Sequence, residues 1–290
     1  MTSVAAISIA GLTKDFAIGL RGTRLRAVDR LSLRIGQGEV FGLMGPNGSG
    51  KSTTIKLILD LIPATAGQCL IFGVPHDQVA ARAMVGYLPE SPQLHRHLTG
   101  RELVRFHGGL GGLTGRRLAS RVDEVIARVD LARVADRCLG TYSKGMLQRA
   151  GLAQAIVHDP RLVILDEPAA GMDPAGSDDI RSLVLGLKAE GRTVVIVSHQ
   201  LEQMEDVCDH MAILDRGRLV WEGNREDLIG GDGGRTLVVD PLSAAQLGEL
   251  RGWLGERGKT FREIGSPRSR LAEIFRRQTM TAQTMQRSPE

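Results

Sequence analysis

The stretch GPNGSGKSTT runs from Gly45 to Thr54. Upstream lies Val40-Phe41-Gly42-Leu43-Met44, short and apolar enough for a buried strand. Downstream, Ile55, Leu57, Ile58, Leu59, Leu61 and Ile62 recur at helical spacing until Pro63 stops the pattern. The glycines therefore sit on a strand-to-helix turn, in the pattern G-x-x-x-x-G-K-S from Gly45 to Ser52. Glycine adopts the positive φ such a turn needs and lets backbone N–H groups come close to a ligand. Those groups form an anion nest at a helix N-terminus, where the helix dipole also favours negative charge. The pattern suits a triphosphate. Lys51 would reach the β and γ phosphates, and the Ser52 hydroxyl would ligate Mg²⁺. The candidate loop comprises Gly45, Pro46, Asn47, Gly48, Ser49, Gly50, Lys51, Ser52 and Thr53. A second Gly-Lys-Thr, at 258–260, fails the pattern because Trp253 stands where the first glycine would fall.

With 290 residues the chain is long enough for one large domain and a small one, and 42% hydrophobic content supports a real core. No apolar run approaches the roughly 20 residues of a membrane helix, and no secretory leader is expected. Cys69, Cys138 and Cys208 are odd in number, lack metal spacing and point to a reducing cytoplasm. The net charge of +4 would suit an anionic membrane surface or nucleic acid, but the basic residues are scattered, which favours a solvated surface.

Residues 5–44 alternate enough to suggest antiparallel strands, with a Gly/Arg-rich excursion at 19–26. VGYLPE (85–90) reads as a strand ending at Pro89. Residues 100–158 are mostly helical in pattern, with Leu103, Phe106, Leu118, Val122, Val125, Ile126 and Val129 at period 3.6. LVILD (162–166) and TVVIVSH (193–199) are continuous apolar runs, as parallel strands buried on both faces should be, with a helix between them. Residues 211–221 read as a hairpin. Glycines at 230–234 read as a linker. A strand at 236–239, helices near 244–257 and 269–278, and a disordered tail from 279 are expected beyond it.

Two further motifs carry chemistry. LVILDEP delivers Asp166 and Glu167 to the end of a strand, where one can hold the Mg²⁺ shell and the next can polarise an attacking water. His199 ends the following apolar strand, which should run beside the loop's own strand, so a hydrogen bond to the γ-phosphate is expected. Ser143, in YSKGM (142–146), is a good helix N-cap.

Taken in order, the set resembles the nucleotide-binding subunit of ATP-binding cassette (ABC) transporters over residues 5–223. GPNGSGKS looks like the Walker A motif, and LVILDEP looks like Walker B with its catalytic glutamate. Pro89-Glu90 falls where the family has its Q-loop, YSKGM resembles the LSGGQ signature, Ala170-Gly171-Met172-Asp173 resembles the D-loop, and Ser198-His199 the switch histidine. Phe16 matches the aromatic that stacks on adenine. The chain departs from the pattern at Glu90, which replaces glutamine but keeps an oxygen for Mg²⁺ or water. It departs again at Lys144 and Met146. Glu90 together with YSKGM looks like the branch that drives exporters with separately encoded membrane subunits.

The resemblance implies an α/β P-loop core with an N-terminal antiparallel β subdomain, a helical subdomain at about 91–158 and a small C-terminal extension. The expected division is 1–229 for the ATPase domain and 235–290 for the extension. It also implies a head-to-tail dimer, a homodimer or a pair with a second cassette, with each ATP and Mg²⁺ between one subunit's Walker motifs and the other's Ser143 and Gly145. Glu167 and His199 would be catalytic, and Ser52, Glu90 and Asp166 would serve the metal. The expected role is ATP hydrolysis driving export through a separate multi-span permease, from the cytoplasmic face of the cell membrane, with no nucleic acid. The alternative is a soluble ABC ATPase acting on ribosomes or nucleic acid. Such proteins usually fuse two cassettes or carry a long coiled coil, and neither is visible here.

Overall fold

A computed structural model describes residues 4–18, 23–199, 207–224 and 243–257. The continuous apolar runs form its centre. Strands β3 (Val40–Met44), β7 (Leu162–Asp166) and β8 (Thr193–Ser198) are buried at every position, as strands covered on both faces must be. They belong to a six-stranded sheet of order β10-β9-β3-β8-β7-β6, completed by β6 (Val85–Leu88), β9 (His210–Asp215) and β10 (Arg218–Asn224). Strands β6, β7, β8, β3 and β9 pair in parallel. The register sets Met44 beside Ser198 and Asp166 beside Val197. Residues 45, 167 and 199 therefore leave the sheet at one edge, the edge where parallel sheets hold ligands.

A four-stranded antiparallel sheet of order β2-β1-β4-β5 packs against this unit. It comprises β1 (Ile7–Ile18), β2 (Thr23–Ile35), β4 (Ala66–Ile71) and β5 (Val74–Pro75). A single core joins the two sheets around helix α1 (Lys51–Ile58): Ile7, Leu12 and Leu31 from one sheet, Ile55 and Ile58 from the helix, Phe41 and Leu43 from the other.

The antiparallel reading of residues 5–44 fails at β3, which lies in the parallel sheet beside β8, as expected of the loop's own strand. Of the excursion expected at 19–26, residues 23–26 belong to β2 and pair with β1, Phe16 opposite Leu25 and Asp15 opposite Arg26, while 19–22 lie outside the described residues. And α1 stops at Ile58, not at Ile62. Asp60 takes a left-handed φ of 54°. Its N–H bonds to the Leu57 carbonyl, and that of Leu61 to Lys56. This is a Schellman closure, which satisfies the last carbonyls and turns the chain before the apolar pattern runs out.

Past the one-turn helix α2 (Val79–Arg82) and β6, the helical region contains α3 (Gly100–Leu110), α4 (Gly115–Arg128) and α5 (Lys144–Ile156). Thr99 and Glu102 close a capping box at the start of α3. Phe106, expected on the inward face, is 53% exposed. The buried stripe of α3 is Gly100, Leu103, Val104 and Gly108, and Phe106 lies well round the helix from it. Helix α6 (Pro174–Ala189) connects β7 to β8, with Asp173 capping it and Pro174 in its first turn.

The chain divides into two compact units, Met1–Gly223 and Asn224–Glu290, a boundary that falls before residue 229. In the second unit the described helix, Ala244–Gly255, starts at a Ser243–Gln246 capping box. The glycine run at 230–234, the strand at 236–239, the helix near 269–278 and the tail from 279 lie outside the described residues.

Candidate functional site

The loop after β3 is built for close backbone approach. Gly50 caps α1 with φ 101° and no side-chain cap. A Cβ there would stand 2.6 Å from the Ala27 carbonyl, so no other residue fits. Inside the loop the Lys51 ammonium is buried and donates to the carbonyls of Gly45 (2.7 Å) and Pro46 (3.1 Å). Burial lowers its pKa, against the opposing pull of Glu167, Asp166 and Glu90. The Ser49 hydroxyl is buried with no partner among the described residues. An orphaned polar atom of that kind costs about 1–3 kcal/mol, and its place in the loop fits a site that awaits a polar ligand.

Asp166 and Glu167 leave β7 toward this loop. Asp166 is 4% exposed. Burial, then Glu90 and Glu167, push its carboxyl up to about 6, while Lys51 and Lys56 pull the other way. Three acidic groups within electrostatic reach of one another thus make a site that is short of positive charge. Glu90 itself is exposed, just past β6. Among the described residues no three His, Cys, Asp or Glu side chains assemble a metal site by themselves. Mg²⁺ commonly takes one or two carboxylates and completes its shell with phosphate oxygens and water. Ser52 and Asp166, with Glu90 nearby, fit that mode.

Glu167 is held from three directions. Its backbone has a left-handed φ of 49°, which costs about 1–2 kcal/mol and needs support. Its N–H bonds to the Val197 carbonyl at 2.8 Å. The buried Gln148 amide, on α5, reaches the Pro168 carbonyl at 3.1 Å and that of Glu167 at 3.5 Å. The carboxylate accepts from Ser198 Oγ (3.0 Å), from the His199 N–H (2.9 Å) and meets His199 Nδ1 at 2.6 Å. Facing a carboxylate, Nδ1 carries the proton.

The remaining candidates lie elsewhere on the surface. Phe16, on β1, is 37% exposed with the Lys14 ammonium 5.0 Å from its ring centre. Ser143 caps α5, accepting from the Met146 N–H. Gly145 lies beside the Met172 side chain, and Lys144 folds over Gly171. The YSKGM segment therefore packs on residues 171–172. Sequence reasoning did not single out Ser198 or Gln148 as site residues. Gln148 left a readable trace, as a polar residue on the apolar face of α5 that also carries Leu152 and Ala155. Ser198 left none.

The family model described as "ABC transporter" matches residues 28–170. An ABC transporter ATP-binding protein of Nostoc is 44% identical, the match covering 69% of this chain and 60% of that protein. The linearmycin resistance ATP-binding protein LnrL of Bacillus subtilis is 36% identical, covering 82% of this chain and 78% of its own length. The chain belongs to the ABC transporter ATP-binding proteins. The daunorubicin resistance ATP-binding protein DrrA3 of Streptomyces coeruleorubidus is 34% identical over 81% of this cassette and 76% of that protein. Among solved structures, an ATP-binding subunit of an ABC transporter superposes with TM-score 0.71 at 28% identity, over 86% of this cassette and all but 1% of that chain. A dimeric cassette, MJ0796, in a post-hydrolysis state with ADP and Pi, gives 0.70 at 25%, over 76% and 98%. This cassette spans 60% of the length of the Nostoc relative.

Proposed function

We propose that this cassette binds and hydrolyses ATP and, as a dimer closed around two nucleotides, drives export through a separate multi-span permease at the cytoplasmic face of the membrane. The observation that carries the catalytic part is the Glu167 carboxylate. It sits one residue beyond buried Asp166 and is held by Ser198 and His199, at the sheet edge where the Lys51 loop also begins. The Gly45–Thr53 loop binds the phosphates, Lys51 leaving its carbonyl partners for them, and Phe16 offers its ring to adenine. Glu167 takes a proton from water as the water oxygen bonds to the γ-phosphorus and the bond to the β–γ bridging oxygen breaks, leaving ADP and inorganic phosphate. His199 orients Glu167 and reaches the γ-phosphate. Mg²⁺, when bound by Ser52 and Asp166 with Glu90 at its edge, supplies charge neutralisation. Ser143 and Gly145 complete the partner's site, because the N-terminus of α5 is an anion-binding end.

Export is supported by Glu90 and YSKGM and by relatives named for linearmycin and daunorubicin resistance. Among the described residues no helix is long and apolar enough to cross a membrane, and we assign the transport path to the permease.

Glu167→Gln tests this reading. The amide is isosteric but a far weaker base. ATP should still bind, hydrolysis should fall by roughly two to four orders of magnitude, and size-exclusion chromatography with MgATP should show a trapped dimer. Hydrolysis at the wild-type rate would remove Glu167 from the catalytic role. A slow variant that stays monomeric at high protein and ATP concentration would count against the closed dimer.

A further inference from the structure

An ionised carboxylate offers about four lone-pair positions. Among the described residues, three on Glu167 are taken. Oε1 accepts both the His199 N–H (2.9 Å) and Nδ1 (2.6 Å), and Oε2 accepts the Ser198 hydroxyl (3.0 Å). Toward the described residues Oε1 is filled, and Oε2 keeps one open position. We propose that Ser198 is a positioning residue for hydrolysis, whose hydroxyl pins Glu167 so that Oε2, and not Oε1, accepts the proton of the attacking water. The inference rests on the reading of Glu167 as general base.

The geometry around Ser198 suits that task. It is fully buried and is the last residue of β8. Its backbone is paired with Met44, the residue before the phosphate loop, so the hydroxyl is fixed to the same rigid strand pair that carries the loop. Glu167's backbone is held separately, through Val197 and Gln148. What the backbone leaves free is rotation of the carboxylate, and one donor on each oxygen removes it. A donor on Oε2 also weakens that oxygen as a base, but only by a fraction of the bond's strength through Brønsted behaviour. Misplacing a reacting group by about 1 Å costs roughly 10²-fold, so orientation outweighs basicity.

The test is a double-mutant cycle on the full chain, read by single-turnover and steady-state hydrolysis, equilibrium ATP binding and thermal melts. Ser198→Ala should lower kcat roughly ten- to a hundredfold, the worth of one hydrogen bond to a charged group, with ATP affinity within about twofold of wild type. Ser198→Cys, similar in size but a weak donor, should behave alike and guards against a folding defect in the alanine variant. In the Glu167→Gln background, Ser198→Ala should slow hydrolysis no further. Wild-type kcat in both single variants would overturn the proposal, and so would an equal slowing of the wild type and of Glu167→Gln. Should Glu167→Gln itself turn over at the wild-type rate, the general-base reading falls first, an outcome the cycle separates from the other two.

Discussion

Asp166 concentrates the electrostatic conflict of the site. Its carboxyl is pushed up to about 6 by burial, then by Glu90 and Glu167. In the unfolded chain it titrates near 3.9. Between those values the folded protein binds more protons than the unfolded one, so this group's contribution is fully present below about pH 4 and is lost as pH rises through about 6. At pH 7.5 without nucleotide, the ionised side chain is a liability. Asp166→Asn should therefore raise the apo Tm at pH 7.5, by ~2–4 °C for each kcal/mol recovered, and the gain should shrink at pH 5. MgATP should stabilise the wild type more than the variant. Calorimetry at the two pH values checks this, and a variant less stable at both would contradict it. Asp166, Glu167 and Lys51 were all legible as residues, since their spacing from apolar runs is local. Ser198's hydrogen bond was not, because it joins residues 31 apart across two strands.

The hairpin of β9 and β10 does more than close the sheet. Its turn, Arg216-Gly217, has positive φ at both residues, 47° and 79°, the backbone of a type I′ turn. The Gly217 N–H donates to the Ser49 carbonyl at 2.8 Å, and its carbonyl accepts from the Asp29 N–H at 2.9 Å. A Cβ on Gly217 would stand 2.6 Å from the Ala27 carbonyl, the same oxygen that excludes side chains from Gly50. The turn thus braces the phosphate loop against β2. Beside it the Asp29 carboxylate accepts from Arg26 and Arg218. Gly217→Ala should cost roughly 1–3 kcal/mol through backbone strain, lower the Tm by several degrees, and weaken ATP binding more than a surface substitution of equal instability would. Melting curves with paired ATP titrations measure both, and unchanged affinity at lowered Tm would count against the brace. The hairpin was readable from its alternation and turn residues, but its grip on the loop was not, since Gly217 and Ser49 meet only in the folded chain.

The two compact units divide at Gly223–Asn224. The first contains the whole core that joins both sheets and α1. A chain ending at Gly223 should therefore fold alone, melt cooperatively and bind ATP with affinity near that of the full chain, because a unit with its own hydrophobic core can fold by itself. An insoluble product, or one without a cooperative melt, would show that the second unit completes the first. Within the first unit, Arg149 of α5 pairs with Asp130 after α4 and with Asp179 of α6. Arg128 of α4 pairs with Glu190 at the end of α6. These partly exposed pairs add little stability, yet they tie the helical region to α6.

What the sequence determined by itself is what depends on neighbours along the chain. The phosphate loop follows from glycine spacing on a strand-to-helix turn, the central strands from unbroken apolar runs, and α6 from the helical pattern between the second and third of those runs. Helix α1 shows the limit: hydrophobic period predicts it to Ile62, and an aspartate in left-handed conformation closes it at Ile58. Only the tertiary structure decided how β4 and β5 finish the antiparallel layer and why Phe106 faces outward. It also decided that Gln148 and Ser198 meet Glu167. Each of those outcomes depends on hydrogen bonds or packing between residues far apart in the chain, and local propensity carries no term for such contacts.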